Sequence, residues 1–272
     1  MVLVLTLPLT SPRPGDALPG VINPRHRVEA YSLSGAQPVR LWVHDTANLS
    51  YPNGLASNGP TSTLSEEIFV SSWNDHGVVS LSNPSLQGLT QSSRVTYFAS
   101  HPSAAVDRPA DVALLPHPET GPAFAVADYY GKSVQLFTAI PSGPGGSVPT
   151  GTPCGTIGVK RRSRTPCLDR PSSLAVQPRG LWQDGGWARL LVAETGGMCV
   201  SVFRVMLEQN EELRRTNELR LTSSHLCDIC VEQVGSGLHA PQRGLWGWLG
   251  VACAPNGDVV VSDCDNECLL VI

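Results

Sequence analysis

The feature that most constrains this chain is a two-part motif that recurs in register. Val126-Ala127-Asp128 ends one strand-length apolar run, a turn follows, and Val134-Gln135-Leu136-Phe137 resumes. Upstream the same shape is Phe69-Val70-Ser71-Ser72, a turn, then Val78-Val79-Ser80-Leu81. Downstream it is Leu191-Val192-Ala193-Glu194 with Val200-Ser201-Val202-Phe203, and Val260-Val261-Ser262-Asp263 with Leu269-Leu270-Val271-Ile272. A leading run repeats too: Pro52-Asn53-Gly54-Leu55-Ala56, Pro109-Ala110-Asp111-Val112-Ala113, Pro171-Ser172-Ser173-Leu174-Ala175, and Trp248-Leu249-Gly250-Val251-Ala252 with the proline lost. A partial fifth copy lies at Asn23-Pro24-Arg25-His26-Arg27-Val28-Glu29-Ala30-Tyr31, a turn followed by the third run of a unit. Each run has strand length and turn chemistry at its ends.

A unit of three or four short antiparallel strands cannot bury both its faces alone. Neighbouring units must stack, which predicts an all-β radial array, a β-propeller. Copies are spaced more widely than the ~40–50 residues of a typical blade, so the excess falls in Gly-, Pro- and Ser-rich connections. The smooth run Leu190-Leu191-Val192-Ala193 predicts a strand buried on both sides. The alternation in Ser133-Val134-Gln135-Leu136-Phe137 predicts a strand with one wetter side.

These units resemble NHL-repeat β-propellers, and Asn256-Gly257-Asp258-Val259-Val260-Val261-Ser262-Asp263-Cys264-Asp265-Asn266 carries the resemblance most fully. It implies a six-bladed architecture, of which this chain supplies four to five blades. The expected organisation is one incomplete propeller domain over 1–272, with a partial blade at 1–47. Blades follow at about 48–104, 105–165, 166–235 and 236–272, the last lacking its outer strand. The resemblance also implies that Asp128, Glu194 and Asp263 are structural repeat acids, accepting hydrogen bonds from turn N–H groups.

Composition excludes several classes. The 26 glycines and 23 prolines in 272 residues exceed average usage but fall short of the ~25–30% of low-complexity chains. A net charge of −4 is wrong for a general nucleic-acid binder, and DNA is not an expected partner. Arginine dominates the basic residues, Lys132 and Lys160 being the sole lysines. The apolar N-terminus Met1–Leu9 lacks a basic start and a small-x-small cleavage site, so it reads as a strand. No stretch approaches the ~18 apolar residues of a membrane span. The expected setting is cytoplasmic. Asn48-Leu49-Ser50 forms a sequon that needs a secretory context.

Eight cysteines are present, yet a chain of this size needs no staples, and the expectation is reduced, partly buried thiols. Cys227-Asp228-Ile229-Cys230 is a lone C-x-x-C. A zinc site would need a second pair, for which Cys264 and Cys268 are the one close candidate. The seven histidines form no H-x-x-x-H or H-x-H, and neither a Gly-x-Ser-x-Gly elbow nor a phosphate-cradling loop occurs. Related propellers include metal-dependent lactonases and lyases with ligands on their inner strands. Here those positions carry Asn53, Asp111, Ser173 and Gly250, which form no ligand set. No cofactor, metal or catalytic residue is therefore expected.

Two readings of function follow, with a metal-dependent lactonase- or lyase-type propeller enzyme as a third. The first is a non-catalytic scaffold for protein partners, in the family often the substrate-choosing part of a ubiquitin-ligase system whose RING module this chain lacks. The second is single-stranded RNA binding. Lys160, Arg161, Arg162 and Arg164 form a basic loop expected on the same face as the turns holding Trp73, Tyr129 and Tyr130, where bases can stack beside phosphate-binding cations. Asp75, Asp265 and Glu267 on that face oppose it.

Overall fold

The computed structural model describes residues 2–6, 27–32, 37–45, 51–57, 67–82, 95–97, 106–115, 123–139, 151–158, 168–177, 188–207, 221–229, 245 and 247–272. They form five antiparallel sheets and nothing else regular. The first sheet holds β1 (Val2–Thr6), β2 (Arg27–Ser32) and β3 (Val39–Asp45); the N-terminal apolar stretch is thus a strand. The second holds β4 (Pro52–Ser57), β5 (Glu67–Ser72), β6 (Gly77–Ser82) and β7 (Val95–Tyr97). The third holds β8 (Pro109–Leu115), β9 (Ala123–Asp128), β10 (Ser133–Ala139) and β11 (Gly151–Ile157). The fourth holds β12 (Pro171–Gln177), β13 (Ala188–Glu194), β14 (Cys199–Leu207) and β15 (Leu221–Ile229). The fifth holds β16 (Leu249–Cys253), β17 (Val259–Asp263) and β18 (Cys268–Val271).

The leading runs of the sequence are the first strands β4, β8, β12 and β16, which stand side by side in that order. The middle three sheets have four strands in simple up-and-down order; the fifth has three. This is the arrangement of propeller blades, and the described sheets do not close into a ring. Among the described residues no helix is long and apolar enough to cross a membrane.

Three cores lie between sheets rather than within them, as the repeat physics requires. Phe69 and Val78 of the second sheet meet Val112, Phe124, Val126 and Phe137 of the third. Phe124 stacks on Phe69 at 5.5 Å and on Phe137 at 5.2 Å. Leu115, Leu136 and Ile157 of the third sheet share a core with Leu174, Leu190, Val192 and Phe203 of the fourth. Ala175, Leu191 and Val202 of the fourth pack with Leu249, Val251 and Val261 of the fifth. Strand β13 is buried on both faces apart from Arg189, as its smooth apolar run indicates. The wetter side expected of β10 is corrected: only Gln135 is part-exposed over 133–137, and Ser133 is 1% exposed. A neighbouring sheet covers each face there, so alternation in sequence does not become alternation in burial.

Hydrogen bonds link one first strand to the next. The Asp111 carboxylate accepts from Leu174 N (2.8 Å) and Ser173 Oγ (3.0 Å) of the following sheet, and from its own neighbour Val112 N (2.8 Å). Ser173 Oγ in turn accepts from Val251 N of the fifth sheet at 3.2 Å. At the matching place in β4 the residue is Gly54, and a Cβ there would fall inside the Asp111 side chain and against its backbone. The residue facing Asp111 in the second sheet is therefore Gly54 rather than Asn53, since Gly54 and Asp111 each stand two places after the leading proline, and a bulge lies between Pro52 and Leu55. The same bulge recurs between Pro109 and Asp111 and between Pro171 and Ser173. It is missing in β16, where the proline is lost.

Candidate functional site

The turns between second and third strands and the entries to first strands lie together at one end of the molecule. Backbone bonds tie them: Trp73 N to Tyr51 O (3.1 Å), Tyr130 N to Asp107 O (3.2 Å), Thr195 N to Arg170 O (3.1 Å) and Cys264 N to Trp248 O (3.2 Å). Both elements contain a left-handed residue in each of the second to fifth sheets. In the turns these are His76, Lys132, Met198 and Glu267, each at φ 52°. At the entries they are Tyr51, Arg108, Arg170 and Gly247, at φ 55–73°. A non-glycine residue held there stores on the order of 1 kcal/mol or more, so the surrounding bonds fix this face against a local preference for other conformations.

The repeat acids supply much of that fixing. Asp128 Oδ1 accepts from Gly131 N in its own turn and from Asp107 N at its own sheet's entry, both at 2.9 Å. Asp263 Oδ1 accepts from Asn266 N at 2.9 Å, and its Oδ2 from Asn266 Nδ2 at 2.8 Å. Glu194 Oε2 accepts from Asp169 N at 2.6 Å. In the second sheet the position is Ser72, whose hydroxyl donates to Asp75. Burial pushes the Asp128 carboxyl up to about 6; the two backbone donors oppose this, and the nearby Asp107 charge adds to it. Burial likewise raises Glu194, and raises Asp111 to about 6. Side chains link two of the turns to the next entry: His76 Nδ1 lies 3.2 Å from Asp107 Oδ1, and Lys132 Nζ pairs with Asp169 Oδ1 at 2.9 Å.

On this frame sits an aromatic cluster. Trp73 lies 5.1 Å from Tyr129, 6.1 Å from Tyr130 and 5.9 Å from Trp248, between ring centroids. Tyr129 and Trp248 stack at 5.2 Å, and Tyr129 meets Tyr130 edge-on at 5.2 Å. The Arg108 guanidinium stands over Trp73 at 5.9 Å and Tyr130 at 5.3 Å. Rings from the second, third and fifth sheets thus converge, which a radial arrangement permits and a flat row of sheets does not. Tyr129 is buried, while Tyr130 is 52% and Trp248 38% exposed.

The structure thus brings Trp73, Tyr129 and Tyr130 together and adds Trp248 and Arg108. The sequence signal for both was present, since Trp248 opens a leading run and Asp107-Arg108-Pro109 repeats as Asp169-Arg170-Pro171. Lys160, Arg161, Arg162 and Arg164 lie outside the described residues, as do the sequon and the charged run 208–220. Exposed acids Asp75, Asp107, Asp265 and Glu267 share the aromatic face.

The chemistry available elsewhere is limited. Among the described cysteines, namely Cys154, Cys199, Cys227, Cys253, Cys264 and Cys268, none is in a disulfide, and burial pushes Cys154 up to about 12. Cys227 and Cys264 belong to different sheets, and Cys230 lies outside the described residues. Ser201 Oγ, Asp228 Oδ1 and His225 Nε2 form a hydrogen-bonded row at 2.6 and 2.7 Å. The carboxylate lies between hydroxyl and imidazole, so no base reaches the serine as a nucleophilic triad requires.

No protein-family model matches the chain, and no curated protein matches it. Solved structures show distant likeness. One is an auxiliary nutrient binding protein from Bacteroides thetaiotaomicron, 11% identical over 80% of this chain and 46% of that one, at TM-score 0.44. A second is BBS1N in complex with ARL6DN, 11% identical over 87% of this chain and 58% of that one, at TM-score 0.37. A third is described as an oxidoreductase (glucose dehydrogenase) from Thermus thermophilus, 13% identical over 89% and 88% of the two chains, at TM-score 0.33. The chain spans about half the length of the first two.

Proposed function

We propose that this chain is a non-catalytic β-propeller platform of the NHL-repeat kind that recognises a protein partner through its turn face in the cytoplasm. The observation that carries the reading is the cluster of Trp73, Tyr129, Tyr130 and Trp248 under Arg108, with Tyr130 and Trp248 open to solvent. Tryptophan, tyrosine and arginine are the residue types that dominate binding energy at protein interfaces. A rigid frame presents them with little entropy left to lose. Substrate choice in a ubiquitin-ligase system is the finer form of this reading, with the ligase chemistry residing in another chain.

RNA binding is the second reading, and the arginine above two aromatic rings favours it. The acids at 75, 107, 265 and 267 disfavour it, because they repel a phosphate backbone. A lactonase-type metal centre on the inner strands has less support. The Asp111 carboxylate there already accepts three hydrogen bonds.

A photo-cross-linking side chain placed at Tyr130, and as control at the exposed Ala252 of the fifth sheet, tests the protein reading. A discrete partner captured from position 130, and lost when Arg108→Ala is added, supports it. Equal capture from position 252, or none from position 130, overturns it. Salt-sensitive binding of an oligouridine RNA that disappears with Arg161, Arg162 and Arg164 all changed to alanine would put RNA in its place.

A further inference from the structure

In the third sheet the corner below the repeat acid is neutral and internally satisfied. Ser133 follows the turn, Gln135 Nε2 donates to Ser133 Oγ at 3.1 Å, and Thr156 Oγ1 donates to Gln135 Oε1 at 2.9 Å. The corresponding corner of the fourth sheet differs at every position. Glu194 replaces Asp128, Cys199 replaces Ser133, Ser201 replaces Gln135, and Asp228 replaces Thr156 across the outer pair.

These substitutions converge on one point. A carboxylate oxygen of Glu194, Cys199 Sγ and a carboxylate oxygen of Asp228 all lie within 4.8 Å of one another. Ser201 Oγ contacts both Glu194 Oε1 and Asp228 Oδ1, and His225 Nε2 reaches Asp228 Oδ1 at 2.7 Å. A hydroxyl carries one proton, so it can serve one of these carboxylates and not both. Cys199 Sγ donates to Glu194 Oε1 at 3.9 Å, so the corner gathers two acids and a thiol around one point. Glu194 is 4% and Cys199 8% exposed, whereas the side chains of Asp228 and His225 are 39% and 23% exposed, which gives an entry path from the outer strand.

We infer that Glu194, Cys199 and Asp228 form a zinc site, with His225 held against Asp228 Oδ1 behind it, that clamps β13, β14 and β15 together. Around a tetrahedral zinc a sulfur and an oxygen ligand stand about 3.7 Å apart, from Zn–S of about 2.3 Å and Zn–O of about 2.2 Å. Atoms already within 4.8 Å of one another therefore close by about 1 Å at most to share the ion. The thiolate selects zinc over calcium or magnesium, which take oxygen ligands alone. The site is separate from the C-x-x-C pair: Asp228 takes part, and its exposed neighbour Cys227 does not.

The test is a Co²⁺ titration of the purified, reduced full chain, followed by competition with Zn²⁺. The expected result is one Co²⁺ per chain with a near-ultraviolet thiolate-to-cobalt band that Zn²⁺ abolishes. Cys199→Ser should remove the band, and Cys227→Ser with Cys230→Ser should keep it. Absence of the band in the unaltered chain overturns the site, as does a band retained in Cys199→Ser but lost from the Cys227→Ser, Cys230→Ser variant. Asp228→Asn alters a part-exposed residue and tests the site even if the Cys199 variant fails to fold. Folded Asp228→Asn that binds Co²⁺ as tightly as the parent overturns the assignment, whereas a loss of ~10-fold or more supports it.

Discussion

Asp128→Asn separates charge from hydrogen bonding at the acid that holds the Tyr129–Tyr130 turn. Both backbone donors, Asp107 N and Gly131 N, point at the single oxygen Oδ1. An amide oxygen can accept both, so the substitution leaves the bonds and removes the ionisation. Burial raises the Asp128 carboxyl from its ordinary 3.8 to about 6. At about 1.36 kcal/mol per pH unit, that rise corresponds to about 3 kcal/mol as an upper figure. An acid with a raised folded pKa contributes stability that is fully present below its unfolded pKa and is lost as pH rises through its folded pKa. The window here is therefore between about pH 4 and about pH 6. Urea unfolding of both proteins at about pH 4.5 and about pH 7.5 measures it. The parent should lose stability relative to Asp128→Asn across that interval by about 1–3 kcal/mol. A difference that stays flat, or one that moves in favour of the parent, refutes the reasoning that this carboxyl is buried against its charge.

Other consequences are more local. Phe124→Ala removes a fully buried ring stacked between Phe69 and Phe137, and should cost about 3–5 kcal/mol in urea unfolding. Gly54→Ala drives a methyl group into Asp111, whose backbone cannot rotate away. It should cost about 1–3 kcal/mol by the same assay, while an alanine at the exposed Gly197 turn position should cost less. The Cys154 thiol, raised to about 12 by burial, should react with a disulfide reagent far more slowly than exposed Cys264 at neutral pH, followed by mass spectrometry of each site.

Much of the fold was legible because one motif carries it. A polar residue after each Val-Ala-like run marks the end of a second strand, an acid at Asp128, Glu194 and Asp263 and a serine at Ser72. The burial of β10 was not legible, since alternation reports side-chain type, and a second neighbouring sheet covers Ser133 regardless. The bulge after each leading proline was hidden for a similar reason. Bulges depend on backbone pairing, and the Pro-x-x pattern hints at it only after three copies are superposed. The aromatic face was half visible. Trp73, Tyr129 and Tyr130 stand in equivalent turns, whereas Trp248 joins them from another sheet across the molecule, which no linear spacing encodes. The Glu194 corner was obscured by the C-x-x-C around Asp228, which drew attention to the sulfurs instead of the acid between them.

Convergence of the second and fifth sheets is what separates a radial array from any linear stack of the same strands. A double-mutant cycle on Trp73→Ala and Trp248→Ala measures it, because the rings lie 5.9 Å apart only if the sheets turn about a common axis. The account predicts a coupling free energy of about 0.5–1.5 kcal/mol in urea unfolding. Effects that add to within about 0.3 kcal/mol would contradict it.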